Sequence, residues 1–130
     1  MSTDASERPA DPMSAPRPLR VLFAIGVLPA FYAADDETAQ AVKGAIAEAY
    51  GDLGTRFGVA VVGTFDDLDL HVGPSPSWPW TSYILADVPN YDTIRDLCNL
   101  IRTTRVREER LWKYIKLEAR IGTRLFFGNE

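Results

Sequence analysis

The chain has one cysteine and one histidine in 130 residues. A lone Cys98 forms no internal disulfide, which fits a reducing cytoplasm. Zinc centres built on thiolate and imidazole need several such ligands, so the common kinds are excluded. No glycine pattern matches a phosphate-binding loop or a dinucleotide fingerprint. No apolar run approaches the roughly 20 residues of a membrane-spanning helix. Positive charge is scarce too. Lys and Arg number 14 against 18 Asp and Glu, a net charge of −4, which argues against a nucleic-acid backbone as partner. The first residues are polar and acidic rather than basic then apolar, unlike a secretory signal. The expectation is one small cytoplasmic domain with neither nucleic acid nor membrane among its partners.

What is present suffices for a core: 46% of residues are hydrophobic and 25% charged. Residues 1–18 hold four prolines and almost nothing to bury, and read as a disordered arm. Residues 19–130 form the domain. Arg20 to Leu28 (RVLFAIGVL) is a short apolar run, hence a buried strand, with Pro29 at its end. Asp35 to Leu53 reads as a helix. Its start is acidic, and Ala39, Val42, Ile46, Ala49, Tyr50 and Leu53 form one stripe. Val59 to Phe65 is a second strand. Apolar parity changes between it and Leu68, Leu70 and Val72, which predicts a bulge near Gly63 to Asp66 or two short strands.

After the proline-rich turn Gly73 to Pro79, Trp80 to Val88 reads as a third strand and Tyr91 to Thr103 as a second helix. Thr104 to Arg110 is a charged connection. Leu111 to Gly122 then alternates as a last strand. Leu111, Lys113, Ile115, Leu117, Ala119 and Ile121 fall on one face, and Trp112, Tyr114, Lys116, Glu118 and Arg120 on the other. Leu125, Phe126 and Phe127 form an apolar cluster in the tail.

The order strand, helix, strand, strand, helix, strand is the split βαβ arrangement of an α+β, ferredoxin-like βαββαβ domain. Right-handed crossovers place two helices on one face of a four-stranded antiparallel sheet. The other face would then carry Leu22, Ala24, Gly26, Trp112, Tyr114, Lys116, Glu118 and Arg120. Left bare, its aromatics would form an apolar patch typical of an interface. The simplest cover is a second copy, sheet against sheet, which makes a homodimer with a closed barrel. Charges buried there need mutual pairing or a water-filled pocket.

With that order and the segments WPWTSYILADVP (Trp78 to Pro89) and LWKYIKLEARIG (Leu111 to Gly122) in view, residues 19–122 resemble the dimeric α+β barrel superfamily. That superfamily holds antibiotic-biosynthesis monooxygenases, muconolactone-isomerase-like enzymes and stress-responsive barrel proteins. The two segments are also similar to small accessory proteins of indole-3-acetate degradation clusters. The resemblance implies a pocket in each half of a dimeric barrel, and cofactor-free chemistry on aromatic or polyketide compounds. The expected function is a small enzyme acting on an aromatic or carboxylated metabolite, oxygenase- or isomerase-like and without a tightly bound cofactor. The alternative is a non-catalytic metabolite-binding or accessory protein of a catabolic or biosynthetic pathway.

Within that frame Trp80, Trp112 and Tyr114 would line the pocket and stack on a planar ring, and Lys116 or Arg120 would hold anionic oxygen. Glu118 or His71 would move a proton. The competing readings are an internal salt-bridge ladder for the strand and an exposed edge histidine for His71, whose parity groups it with Asp67 and Asp69. Trp78 and Trp80 would rim the pocket or pack on a partner. Asp66, Asp67 and Asp69 form a solvated turn before they form a metal site, since no patterned glycine accompanies them. Cys98 sits on an apolar helix stripe and reads as a core thiol.

Overall fold

The computed structural model describes residues 18–67, 71–74 and 77–128. The expected N-terminal arm, apart from Pro18, lies outside the described residues, as do Leu68, Asp69 and Leu70. Strand β1 runs Leu19–Val27 and buries Val21, Phe23 and Ile25 on one side. Pro29 ends it and opens a short helix α1, Pro29–Tyr32, because the fixed proline φ suits a first helical turn.

Helix α2 is Asp36–Tyr50, capped by the Asp35 carboxylate, which accepts from the Thr38 N–H at 2.8 Å. It buries Val42, Ala45 and Ala49. The apolar stripe predicts Leu53 in this helix. Instead Gly51 is extended and Asp52 is left-handed (φ 53°), so the chain breaks and restarts as α3, Leu53–Phe57. The Arg56 guanidinium donates to the carbonyls of Glu48, Ala49 and Gly51 at 2.8–2.9 Å and so satisfies the end of α2.

Strand β2, Ala60–Asp66, is an exposed edge paired with β3, Ser82–Val88. Its register shifts between Val61 and Gly63, just before the expected bulge. Helix α4 is Tyr91–Thr103, as the stripe predicts, with Asn90 accepting from the Thr93 N–H at 2.8 Å. The charged connection folds into a small hairpin of β4, Arg105–Val106, and β5, Glu109–Arg110. Arg107 ties it to the first turn of α2 through Glu37 at 3.3 Å.

The last strand is shorter than its alternation suggests. Leu111–Lys113 is a tight 3-10 turn, closed by the Tyr114 N–H donating to the Leu111 carbonyl at 2.9 Å. Strand β6 begins only at Ile115 and runs to Gly122. A strand would send Tyr114 to the side opposite Leu111 and Ile115. The turn lets all three enter the same core. The Leu28 N–H holds it in place by donating to the Tyr114 carbonyl at 2.8 Å.

The main sheet has the order β2-β3-β1-β6, and each of its neighbouring pairs is antiparallel. This α+β arrangement is compatible with a ferredoxin-like domain. Helices α2 and α4 cover one face, where Val21, Phe23 and Ile25 join Val42, Ala49, Ile94 and Leu97 in a single core. Among the described residues no helix is long and apolar enough to cross a membrane.

Candidate functional site on the open sheet face

The strand registers lay out the face away from the helices as rows. One row is Phe65, Tyr83, Ala24 and Glu118. The next is Gly63, Leu85, Leu22 and Arg120, and the third is Ala60, Asp87, Arg20 and Gly122. Lys116 stands beside Gly26 beyond the first row. The centre is apolar and low: Ala24 is buried, and Leu22 and Leu85 are half-buried.

The chain before β3 closes one end of this dish. The Thr81 N–H donates to the Ile25 carbonyl at 2.8 Å, and the Asp67 N–H to the Thr81 carbonyl at 2.9 Å. This brings the Pro79 carbonyl down onto Gly26, where any Cβ would collide with it and with Lys116 Cε. Trp80 then lies against β6, with Lys116 Nζ 5.0 Å from its ring centroid, a cation–π contact.

Opposite, the Tyr83 hydroxyl gathers a polar cluster. It accepts from Trp78 Nε1, and its single proton serves Asp67 Oδ2 at 3.2 Å or the Trp80 carbonyl at 3.3 Å. Phe65 flanks it, ring centroids 5.8 Å apart. On β6, Arg120 Nε reaches Glu118 Oε2 at 2.7 Å. At the far end Arg20 Nε meets Asp87 Oδ1 at 2.6 Å, and this hydrogen bond holds the Asp87 carboxyl below its ordinary range against partial burial.

Four of the seven expected site residues therefore share this face: Trp80, Lys116, Glu118 and Arg120. Trp112 and Tyr114 do not, which corrects the five-residue ladder. The 3-10 turn leaves Trp112 half out in solvent with the Arg102 guanidinium 5.4 Å from its ring centroid. It turns Tyr114 into the helix-side core. His71 is exposed outside any strand, and no hydrogen bond or ion pair joins it to another described residue. Asp66 is exposed, Asp69 lies outside the described residues, and the described residues hold no cluster suited to a metal ion. Cys98 is half-buried, and burial pushes its thiol up, away from the reactive thiolate. Nothing in the sequence marks Tyr83, Asp67 and Trp78 as a cluster. Tyr83 shares parity with Leu85 and Asp87, but which face that parity occupies depends on pairing with β1.

The arrangement suits recognition of a flat, anionic molecule. Phe65 and Tyr83 stand at one end of the first row, Trp80 lies against Lys116 beyond it, the floor is apolar, and the Lys116 and Arg120 cations lie along one wall. Glu118 is engaged by Arg120, so a ligand carboxylate would compete with it for the guanidinium. No family model, characterised protein or solved structure gives a significant match to the chain.

Proposed function

We propose that two copies of this chain stack open face to open face as a cytoplasmic dimeric α+β barrel and hold a small aromatic or carboxylated metabolite between them. The observation that carries this reading is the face itself. An apolar floor of Leu22, Ala24 and Leu85 is ringed by Trp80, Lys116, Arg120 and Tyr83, with Phe65 62% exposed beside it. Stacked sheets stand about 10 Å apart, so the low residues at the centre would leave room for a planar ring. Arg120 would take the carboxylate, and Trp80 or Tyr83 would stack on the ring.

Catalysis is a second reading, favoured by one observation. Tyr83 is a phenol positioned between an indole N–H donor and a carboxylate acceptor, an arrangement suited to delivering a proton. Glu118 becomes available as a base when the metabolite takes Arg120 from it. An oxygenase- or isomerase-like conversion without a tightly bound cofactor would use these groups. His71 has no place in this scheme.

Indole-3-acetate, a planar ring bearing one carboxylate and the compound that the resemblance of residues 78–89 and 111–122 implies, is the first ligand to test. Calorimetric titration of the wild-type protein should show saturable binding, weakened at least tenfold by Arg120→Ala. Binding of neither indole-3-acetate nor phenylacetate, or binding indifferent to Arg120→Ala, would overturn the reading. Turnover in air without added cofactor separates the enzyme from the binder.

A further inference from the structure

On the helix side of the sheet, where α1 leads into α2, an open cavity at the surface, of about 300 Å³, is lined by Ala30, Ala33, Ala34, Thr38, Lys113 and Tyr114. The sequence alternation predicts Tyr114 in the sheet-face pocket. The 3-10 turn delivers it here instead, only 6% exposed. No described residue hydrogen-bonds its hydroxyl, although buried polar groups nearly always find a partner. We infer that this cavity is a ligand site of its own, separate from the open sheet face, and takes a small organic monocarboxylate.

The hydrogen-bond inventory of the lining residues sets the chemistry. The Tyr114 phenol is unspent. Thr38 Oγ1 accepts from Arg107 Nη1 at 3.3 Å, so its own proton remains free. Lys113 Nζ pairs with Glu109 Oε2 at 3.3 Å and lies 5.6 Å from the Tyr114 ring centroid, a cation–π contact that leaves two of its N–H groups for hydrogen bonds. Three side chains on one cavity thus offer donors, and a carboxylate offers two oxygens able to accept from all of them. The three alanines form a smooth apolar wall for the body of the ligand.

The surrounding charge limits that ligand to one negative charge. Asp35 accepts the Thr38 N–H, Glu37 pairs with Arg107 at 3.3 Å, and Glu109 holds Lys113. Lys113, the cation in the lining, is already matched by Glu109, and Arg107 beside Thr38 by Glu37, so a carboxylate enters only by displacing Glu109, and the second charge of a dianion would have nothing to offset it. Glu109 is the resident competitor, and a bound carboxylate takes its place on Lys113. The volume is at the small end of ligand pockets, which suits a single ring or a short chain.

Benzoate is the probe, with inorganic phosphate and benzylamine as controls, followed by amide chemical shifts of the full chain. Benzoate should shift residues 33–38 and 113–114 saturably, and the controls should not. Tyr114→Phe and Lys113→Gln should each raise the benzoate Kd at least fivefold, while Glu109→Gln should lower it severalfold. Lys113 is half-exposed, so its variant keeps the fold even if Tyr114→Phe loosens it. Arg120→Ala should leave the benzoate-induced shifts of residues 33–38 and 113–114 unchanged, whatever it does to binding at the open face. No saturable shift of residues 33–38 and 113–114, an unchanged Kd in Lys113→Gln or in a folded Tyr114→Phe, or loss of those shifts in Arg120→Ala would overturn the inference. The last of these outcomes would move the ligand to the open face.

Discussion

Arg120 Nε lies 2.7 Å from Glu118 Oε2, two positions along the same face of β6. Side chains at this spacing stand ~7 Å apart at the backbone, so both must lean together to meet. The pair is largely open to solvent in the single chain, and such pairs contribute about 1 kcal/mol or less. Arg120→Ala should therefore shift the urea unfolding free energy by no more than about 1 kcal/mol. Its effect on indole-3-acetate binding should far exceed its effect on stability. A large loss of stability would show that the pair holds the fold together instead.

Gly26 is where the chain from Pro79 crosses the sheet. Gly26→Ala drives a methyl group into the Pro79 carbonyl and Lys116 Cε. The crossing segment must lift or the strand must shift, a cost of about 1–3 kcal/mol. Tryptophan fluorescence should change with it, because Trp80 is fixed by the same contact. Gly63 faces open space, so Gly63→Ala should leave the Trp80 environment unaltered.

The 3-10 turn makes a sharp distinction among neighbours. Leu111 is fully buried and Tyr114 nearly so, whereas Trp112 is 51% exposed. Leu111→Ala should cost about 2–5 kcal/mol, as deletions in a packed core do. Trp112→Ala should cost about 1 kcal/mol or less, mainly the stacked Arg102 contact. A continuous strand from Leu111 with Trp112 and Tyr114 facing one enclosed pocket would give comparable losses at those two positions. Urea titration of Leu111→Ala, Trp112→Ala and Tyr114→Ala, the last expected to lose far more than Trp112→Ala, decides between the two geometries.

Acid should weaken the fold partly through Asp87. Its folded-state carboxyl is held below the ordinary value by the Arg20 hydrogen bond. A depressed pKa contributes stability that is present above the unfolded value, about 4, and is lost as pH falls through the folded one. The urea midpoint of the wild-type protein should drop below about pH 4. Asp87→Asn should be less stable at neutral pH and should flatten that part of the profile.

Much of the architecture is legible in the sequence because it rests on local signals. Asn90 caps α4 and Ile94 and Leu97 repeat at helical spacing, so its bounds follow from the residues alone. Asp35 marks the start of α2 equally well, but its end does not, since Leu53 continues the stripe across a break made by the backbone at Gly51 and Asp52. The front of β6 misleads for a related reason. Alternation is a valid guide only while the backbone stays extended, and Leu111, Tyr114 and Ile115 are drawn together by core packing instead. At the candidate site, Lys116, Glu118 and Arg120 are readable from parity within one strand. Tyr83, Asp67 and Trp78 are not, because their meeting depends on the Thr81 to Ile25 hydrogen bond between residues 56 positions apart.

The account turns on what covers Leu22, Leu85 and Phe65. Sedimentation equilibrium of the wild-type chain at micromolar concentration tests it most directly. Stacked open faces predict a species of twice the 14.4 kDa chain mass. A single species at 14.4 kDa across that range would contradict them.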